Sequence, residues 1–438
     1  MRQHTPWLGA AAIVLAILLG VSSASDRRFQ TAPHDVPDER LPSGRLAYIG
    51  SDGNLYVTTP DLDAPIAITD DASAPPEGPG LSYPRVAWSP DGQLAYTSVI
   101  RSGNDAKARL YVMQSLQSDP ELVGLSDEHF VIYIYWSPSG CDPEPECSRL
   151  AYLIEEPEGI GLRLVQKDAN GTQNKLIGLG WPFYFSWSQD GEHMLWHTGG
   201  ASRFNNDARL AHYSLRMEEV TRIDLQPGLF IAPAWSPSGE EWLAVTEVGG
   251  EDALQRISSD PYGIVLDHLQ QAEDKHFVFS WSPDGSRLAY SELRRTGGFI
   301  FGPVHLYDLD TGETRQVTSS SFDISGFFWS PDGNRIAYIS RLPLREAVWM
   351  QWRVVDPDAG EDRGYAAFNP TYQMRYVISS FNQYAQSHRL WSPDGRYLVY
   401  ADQDDARVER IWMVDTFAER GADPTFVAEG TMGFWSLE

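Results

Sequence analysis

Hydrophobic residues in this chain come in short runs, many of them alternating with polar ones, and Gly, Pro, Asp and Ser stand between the runs. Runs of this length, rich in Val, Ile, Tyr, Phe and Trp and bounded by turn residues, predict strands rather than helices. The 29 Pro and 37 Gly are spread along all 438 residues. Turns therefore recur throughout, and an all-β class is expected. An aromatic content of 12%, with 15 Trp, suits large flat side chains packed between sheets.

One pattern repeats. An apolar strand ends in Trp-Ser-Pro-Asp-Gly, and a Leu-Ala-Tyr-like strand follows. The full form occurs at Trp88, Trp281, Trp329 and Trp391, Trp-Ser-Pro-Ser-Gly at Trp136 and Trp235, and Trp-Ser-Gln-Asp-Gly at Trp187. Successive tryptophans are 48, 51, 48, 46, 48 and 62 residues apart, and a further Trp-Ser begins 44 residues on, at Trp435. Pro sets φ for the first corner of a tight turn, Asp or Ser bonds the nearby backbone, and Gly supplies the positive φ. A third strand (residues 109–114, 304–310, 410–415) and a weaker fourth (314–318) complete each unit. Four short strands in roughly 45 residues match one propeller blade.

The two ends of the chain carry half a repeat each. Pro42-Ser43-Gly44-Arg45-Leu46-Ala47-Tyr48 is the second half of the motif, and Gly433-Phe434-Trp435-Ser436 is the first. The expected architecture is a single closed β-propeller over residues 42–438. Its ring would close by pairing of the C-terminal strand with the N-terminal blade, which removes exposed sheet edges. Counting motif tryptophans gives eight four-stranded blades, with seven as the alternative. The outer strands of the Trp235 unit are the least clear.

The Trp-Ser-Pro-Asp-Gly-x-x-Leu-Ala-Tyr string resembles that of the TolB-like, WD-repeat-like propellers of bacterial envelopes. The resemblance covers residues 42–438 and implies fold more than function, because one scaffold hosts many tasks. The propeller domains of prolyl oligopeptidase-like and dipeptidyl-peptidase-like enzymes look similar. Those enzymes carry a separate hydrolase domain, for which this chain has no room and no Gly-x-Ser-x-Gly elbow. TolB itself has an additional N-terminal domain, whereas only a polar linker, residues 26–41, precedes the ring here. TolB's partners therefore do not carry over.

Residues 7–21 form an unbroken apolar or Gly run behind Arg2, followed by Ser22-Ser23-Ala24. This predicts a signal peptide or an uncleaved membrane anchor over residues 1–25. The protein is then secreted, periplasmic or anchored, with membrane contact only through that segment. Cys141 and Cys147 flank Asp-Pro-Glu-Pro-Glu in a hairpin loop and are expected to form a local disulfide, with two free thiols as the alternative. A formal net charge of −26 repels phosphate backbones and argues against nucleic acid.

The motif aspartates Asp91, Asp190, Asp284, Asp332 and Asp394 recur once per unit and are read as turn chemistry. Asp308-x-Asp310-x-Gly312 reads as a strand-to-strand turn. Asn170-Gly171-Thr172 fits a glycosylation acceptor or a hairpin turn. No cofactor or metal is expected. The weak metal candidates His129, His276 and His388 lie at different offsets from the following Trp. Arg101, Arg203, Arg294, Arg295, Arg341 and Arg345 fall in loops between second and third strands and are candidates for a carboxylate or phosphate. The long step between Trp329 and Trp391 holds about 14 extra residues. Its segment 368–388 places Tyr372, Tyr376, Phe381 and Tyr384 either on an exposed loop beside those arginines or as a buried cap. The function expected is a non-catalytic scaffold at the cell envelope for an envelope or extracellular protein, or for a small anionic ligand. The alternatives are a channel-mouth lyase or hydrolase acting on an anionic saccharide, and a sensor or spacer domain.

Overall fold

The computed structural model describes residues 44–58, 64–76, 78–103, 105–126, 130–139, 148–168, 171–259, 262–271, 276–295, 300–342, 349–419 and 423–437. Residues 1–25, the linker 26–41, His129, Cys141, Cys147, Asn170 and Arg345 lie outside them. The side chain of Arg295 does as well. No helix among the described residues is long and apolar enough to cross a membrane.

The chain is nearly all β, built mainly of four-stranded antiparallel sheets, an arrangement consistent with a β-propeller. The Trp88 unit shows the pattern: Gly80–Trp88, Leu94–Ser102, Asp105–Met113 and Glu121–Ser126 pair in chain order. The Trp136, Trp187 and Trp235 units repeat it. The Trp281 and Trp329 units are joined by a short strand, Ile300–Phe301, that pairs with both.

The Trp235 unit differs from the sequence expectation. Its outer strands, Glu251–Ser259 and Tyr262–Gln271, are long and regular. The weak element is its first strand, only Ala234–Trp235, because Pro233 lacks the amide needed to extend it. The C-terminal strand Thr425–Trp435 serves two sets of strands. Its first half pairs with Glu409–Asp415 and its last residues pair with Leu46–Gly50, so Leu46 faces Trp435 and Tyr48 faces Gly433.

The motif turn is built as its residues dictate. The Ser hydroxyl donates to the Asp two residues on, at 2.5 Å for Ser89–Asp91, Ser188–Asp190 and Ser330–Asp332. The same Ser oxygen accepts the amide that opens the next strand, as from Arg287 at 2.9 Å. Gly285 sits at φ 74°, and a Cβ there would meet Pro237 of the neighbouring turn at 3.2 Å. Its lack of a side chain permits both the backbone conformation and the packing of adjacent turns. Asp308 accepts from the Thr311 amide and hydroxyl, so it too is a turn residue.

Neighbouring units are tied by a contact the sequence did not reveal. The indole N–H of each of six motif tryptophans donates to a carbonyl just ahead of the preceding unit's Trp. Trp136 reaches Ala87 at 3.1 Å, and Trp187 reaches Tyr135, Trp281 reaches Ala234 and Trp329 reaches Ser280, each at 3.2 Å. Trp391 reaches Phe328, and Trp88 reaches Phe434, also at 3.2 Å. A second tie joins turn to turn: Arg149, Arg287 and Arg335 donate to the carbonyls of Gly191, Gly333 and Gly395 in the next unit.

The segment before Trp391 is helical, a correction to the expected loop. Helix α1 spans Tyr372–Ser379 and α2 spans Phe381–Ser387. No Gly or Pro falls between residues 371 and 392 to stop a helix. Thr371 caps α1, its hydroxyl accepting from the Met374 amide at 3.1 Å, and Met374, Val377 and Ile378 supply a buried stripe at helical spacing.

Candidate functional site

The two helices lie across the edges of the first strands. An inner strand paired on one side only has backbone groups left over on the other, and these need partners when buried. The helices provide them. The Gln383 side-chain oxygen accepts from the Phe185 amide at 3.1 Å, and its amide nitrogen donates to the Phe185 carbonyl at 2.6 Å. Gln386 donates to the Pro233 carbonyl, and the Thr371 hydroxyl donates to the Thr431 carbonyl. Phe381 packs on Phe301, Phe327 and Phe328. Gly326 allows this approach, since a Cβ there would stand 3.0 Å from the Phe381 ring. Together these contacts make α1 and α2 a plug against strands of several units.

On the other side of the plug is a cavity of about 310 Å³. Its walls are the motif tryptophans from Trp88 to Trp391, and its rim includes the turn residues Pro90, Pro138, Gln189, Pro237 and Pro283. Its floor is Asn382, Ala385, Gln386 and Ser387 of α2, with His388 and Arg389 beyond the helix. The cavity therefore opens toward the motif turns. Its volume falls at the lower end of the range for small-molecule pockets.

His388 is held in a hydrogen-bonded chain. Gln383 donates to the Tyr133 hydroxyl, which donates to Ser387 at 2.5 Å, and Ser387 donates to His388 Nδ1 at 2.6 Å. Nε2 lies 3.2 Å from the Val86 carbonyl and must carry the proton, since a carbonyl only accepts. Burial lowers the His388 pKa to about 3, with the nearby Arg85 adding to the effect. The imidazole is thus neutral and committed at both nitrogens, and it is a structural group.

Arg389 stands differently. It makes no side-chain hydrogen bond or ion pair with any described residue, and no Asp, Glu or Lys among the described residues lines the cavity with it. Burial lowers its pKa, offset in part by the Tyr135 hydroxyl. Guanidinium nevertheless stays charged. Asn382 Nδ2 is a second buried donor with no partner. The arrangement can hold a flat apolar group against indole surfaces and offer it one cation. Among the described residues, no carboxylate lines it.

The residues singled out from the sequence do not gather here, apart from His388. Arg101 donates to the Pro76 carbonyl at 2.8 Å. Arg294 donates to Asp323 at 3.1 Å and to the Ser320 carbonyl. The Arg341 amide bonds the Asp323 carbonyl. Arg203 pairs with Asp252 at 3.2 Å, and His276 Nδ1 contacts the same carboxylate at 2.6 Å. The Asp252 side chain is fully buried and also accepts from the Leu229 amide. The side chains of Arg101, Arg203 and Arg294 thus staple neighbouring segments. His276 and His388 have separate partners, so they do not converge, and no metal-ligand cluster occurs among the described residues. Phe381 and Tyr384 are buried in the plug rather than displayed on a loop. Tyr376 is half-buried beneath Arg85, and Tyr372 is exposed.

Arg389 carries a signal in the repeat that a comparison of units would have found. The position two before the motif Trp is Val86, Ile134, Phe185, Pro233, Phe279, Phe327 and Gly433 in the other units. Only the Trp391 unit places a charge there.

No family model matches this chain, and no curated protein matches it. Solved structures do. TolB from Acinetobacter baumannii is 14% identical, covering 74% of this chain and 77% of its own, with a TM-score of 0.40. An oligogalacturonate lyase from Vibrio parahaemolyticus is 13% identical, covering 80% and 85%, with a TM-score of 0.46. A prolyl endopeptidase structure is 12% identical, covering 88% of this chain and 55% of its own, with a TM-score of 0.50. This chain spans about half the length of that last neighbour. At such identities the likeness concerns fold alone.

Proposed function

We propose that this chain is an extracytoplasmic, closed, eight-bladed β-propeller acting as a non-catalytic binding scaffold, with its recognition site at the plugged central cavity. The observation that carries the reading is the cavity itself, with aromatic walls and a hydrogen-bonded floor of plug residues. Support for eight blades in a ring comes from the succession of neighbour contacts. Indole-to-carbonyl bonds link six pairs of units, including Trp88 to Phe434. Among the other two pairs, Trp235 lies beside His193 of the Trp187 unit, and Arg389 bridges Trp435. Export is inferred from residues 1–25. The N-terminal sequence of protein purified from its native host would separate a cleaved signal from an anchor.

A small-metabolite thermal-shift screen, run on wild type and on Ala385→Met, tests the scaffold reading. Ala385 lines the floor, and a longer side chain there fills the cavity. The expected result is a set of compounds that raise the melting temperature of the wild type, with the shifts lost in the variant. Equal shifts in both proteins would place recognition elsewhere. Conversion of any bound compound to product would overturn the non-catalytic part.

A further inference from the structure

We infer that Arg389 makes the cavity a receptor for a small monocarboxylate with a flat apolar body. The inference rests on the cavity being the recognition site and adds the chemistry of what it takes. Arg389 is partly exposed, and its side chain lines the cavity rather than the sealed interior, so its donors can meet a molecule that enters. It has no side-chain partner among the described residues, although Asp and Glu number 60 in the chain against 34 Lys and Arg. An anion entering the cavity would meet no competing carboxylate among the described lining residues. Guanidinium matches a carboxylate with two parallel hydrogen bonds. Asn382 Nδ2, also unpaired, offers a further donor on the same lining.

The surroundings select among anions. The walls are indole and phenol surfaces, which favour stacking of a flat ring over a hydrated sugar or an inorganic ion. Asp91, Asp190 and Asp284 stand in the turns whose neighbouring residues form the rim. Their charges repel a dianion at the entrance more than a monoanion. A volume of about 310 Å³ holds one small ring compound.

The test uses benzoate, its neutral counterpart benzamide and the dianion phthalate, titrated into the full chain with tryptophan fluorescence and calorimetry as readouts. Benzoate is expected to bind at least about tenfold more tightly than either, the difference a charge-assisted pair provides. Arg389→Met should abolish the preference for benzoate while leaving weak benzamide binding in place. Without ligand, the same variant should melt close to the wild-type temperature, because a partly exposed side chain with no protein partner contributes little to stability. Equal binding of benzoate and benzamide by the wild type, or an unchanged benzoate preference in Arg389→Met, would overturn the inference and leave the scaffold reading standing. No binding of any of the three probes would also overturn the inference. Benzoate binding that survives unchanged in Ala385→Met would instead count against the cavity as the recognition site.

Discussion

Gln383 is the most exacting test of the plug. Its side-chain amide pairs with both the N–H and the C=O of Phe185, as a neighbouring strand would, and it also donates to Tyr133. Phe185 and Gln383 are both buried, with exposures of 0% and 1%. Replacing Gln383 with Met keeps the length of the side chain and removes every hydrogen bond. The Phe185 amide and carbonyl are then orphaned in the interior, at about 1–3 kcal/mol each. Some of this returns because a thioether costs less to bury than an amide, so a net loss of about 3 kcal/mol is expected. Gln386→Met is the control. It removes a 3.3 Å bond to the Pro233 carbonyl and a 3.0 Å bond to the Asn382 carbonyl from a partly exposed residue, and should cost about 1 kcal/mol. Urea unfolding followed by tryptophan fluorescence gives both values, and hydrogen exchange at the Phe185 amide reports the site directly. A loss below about 0.5 kcal/mol for Gln383→Met, or unchanged protection at Phe185, would refute the claim that the plug completes the strand edges.

Other outcomes follow from single contacts. Asp252→Ala leaves Arg203 and His276 facing each other without their shared carboxylate, and a loss of about 2–4 kcal/mol is expected in the same unfolding assay. Trp281→Phe removes the indole bond to Ala234 between two units; it should cost about 1–3 kcal/mol, and an unchanged melting temperature would show that this tie carries little. Burial lowers the pKa of His388 to about 3 and that of His212 to about 4. Both folded values lie below the unfolded value near 6.5, so stability is full above about pH 6.5 and falls as pH drops toward the folded values, by about 1.4 kcal/mol per pH unit for each group. His388→Gln should remove about one proton from that slope, as measured by urea midpoints between pH 4 and 7.

The repeat made the strands legible, because Trp, Pro, Asp and Gly each have a local reason to stand where they do. The turn hydrogen bonds of Ser89 and Asp91 follow from those residues alone. The helices α1 and α2 were missed for a physical reason. Tyr372, Tyr376, Phe381 and Tyr384 fit either an exposed surface or a buried cap, and the helical stripe of Met374, Val377 and Ile378 is only three residues long. The arginine candidates failed differently. A charged loop residue in sequence looks available, yet Arg203 and Arg294 spend their hydrogen bonds on the carboxylates of neighbouring loops, which only the fold brings near. Arg389 adjoins the motif Trp391, and only its place among the lining residues sets it apart from an ordinary strand residue.

The insertion and the unpaired arginine belong to one rearrangement. In the other units except that of Trp235 the position two before the motif Trp lies in a strand, and in all of them it is apolar or Gly. In the Trp391 unit the chain is still helical at Ser387, so it has no room for a full strand. Only isolated bridges remain, Arg389 to Trp435 and Trp391 to Leu398. That frees position 389 from strand packing and lets it carry a charge. The same helices close one end of the cavity and limit the water that reaches it. A charge screened in an open channel acts more strongly in a closed one, since interaction energy rises as the effective dielectric falls. The segment that removes the strand thus also gives Arg389 its strength, and shortening the plug should weaken anion binding even with Arg389 in place.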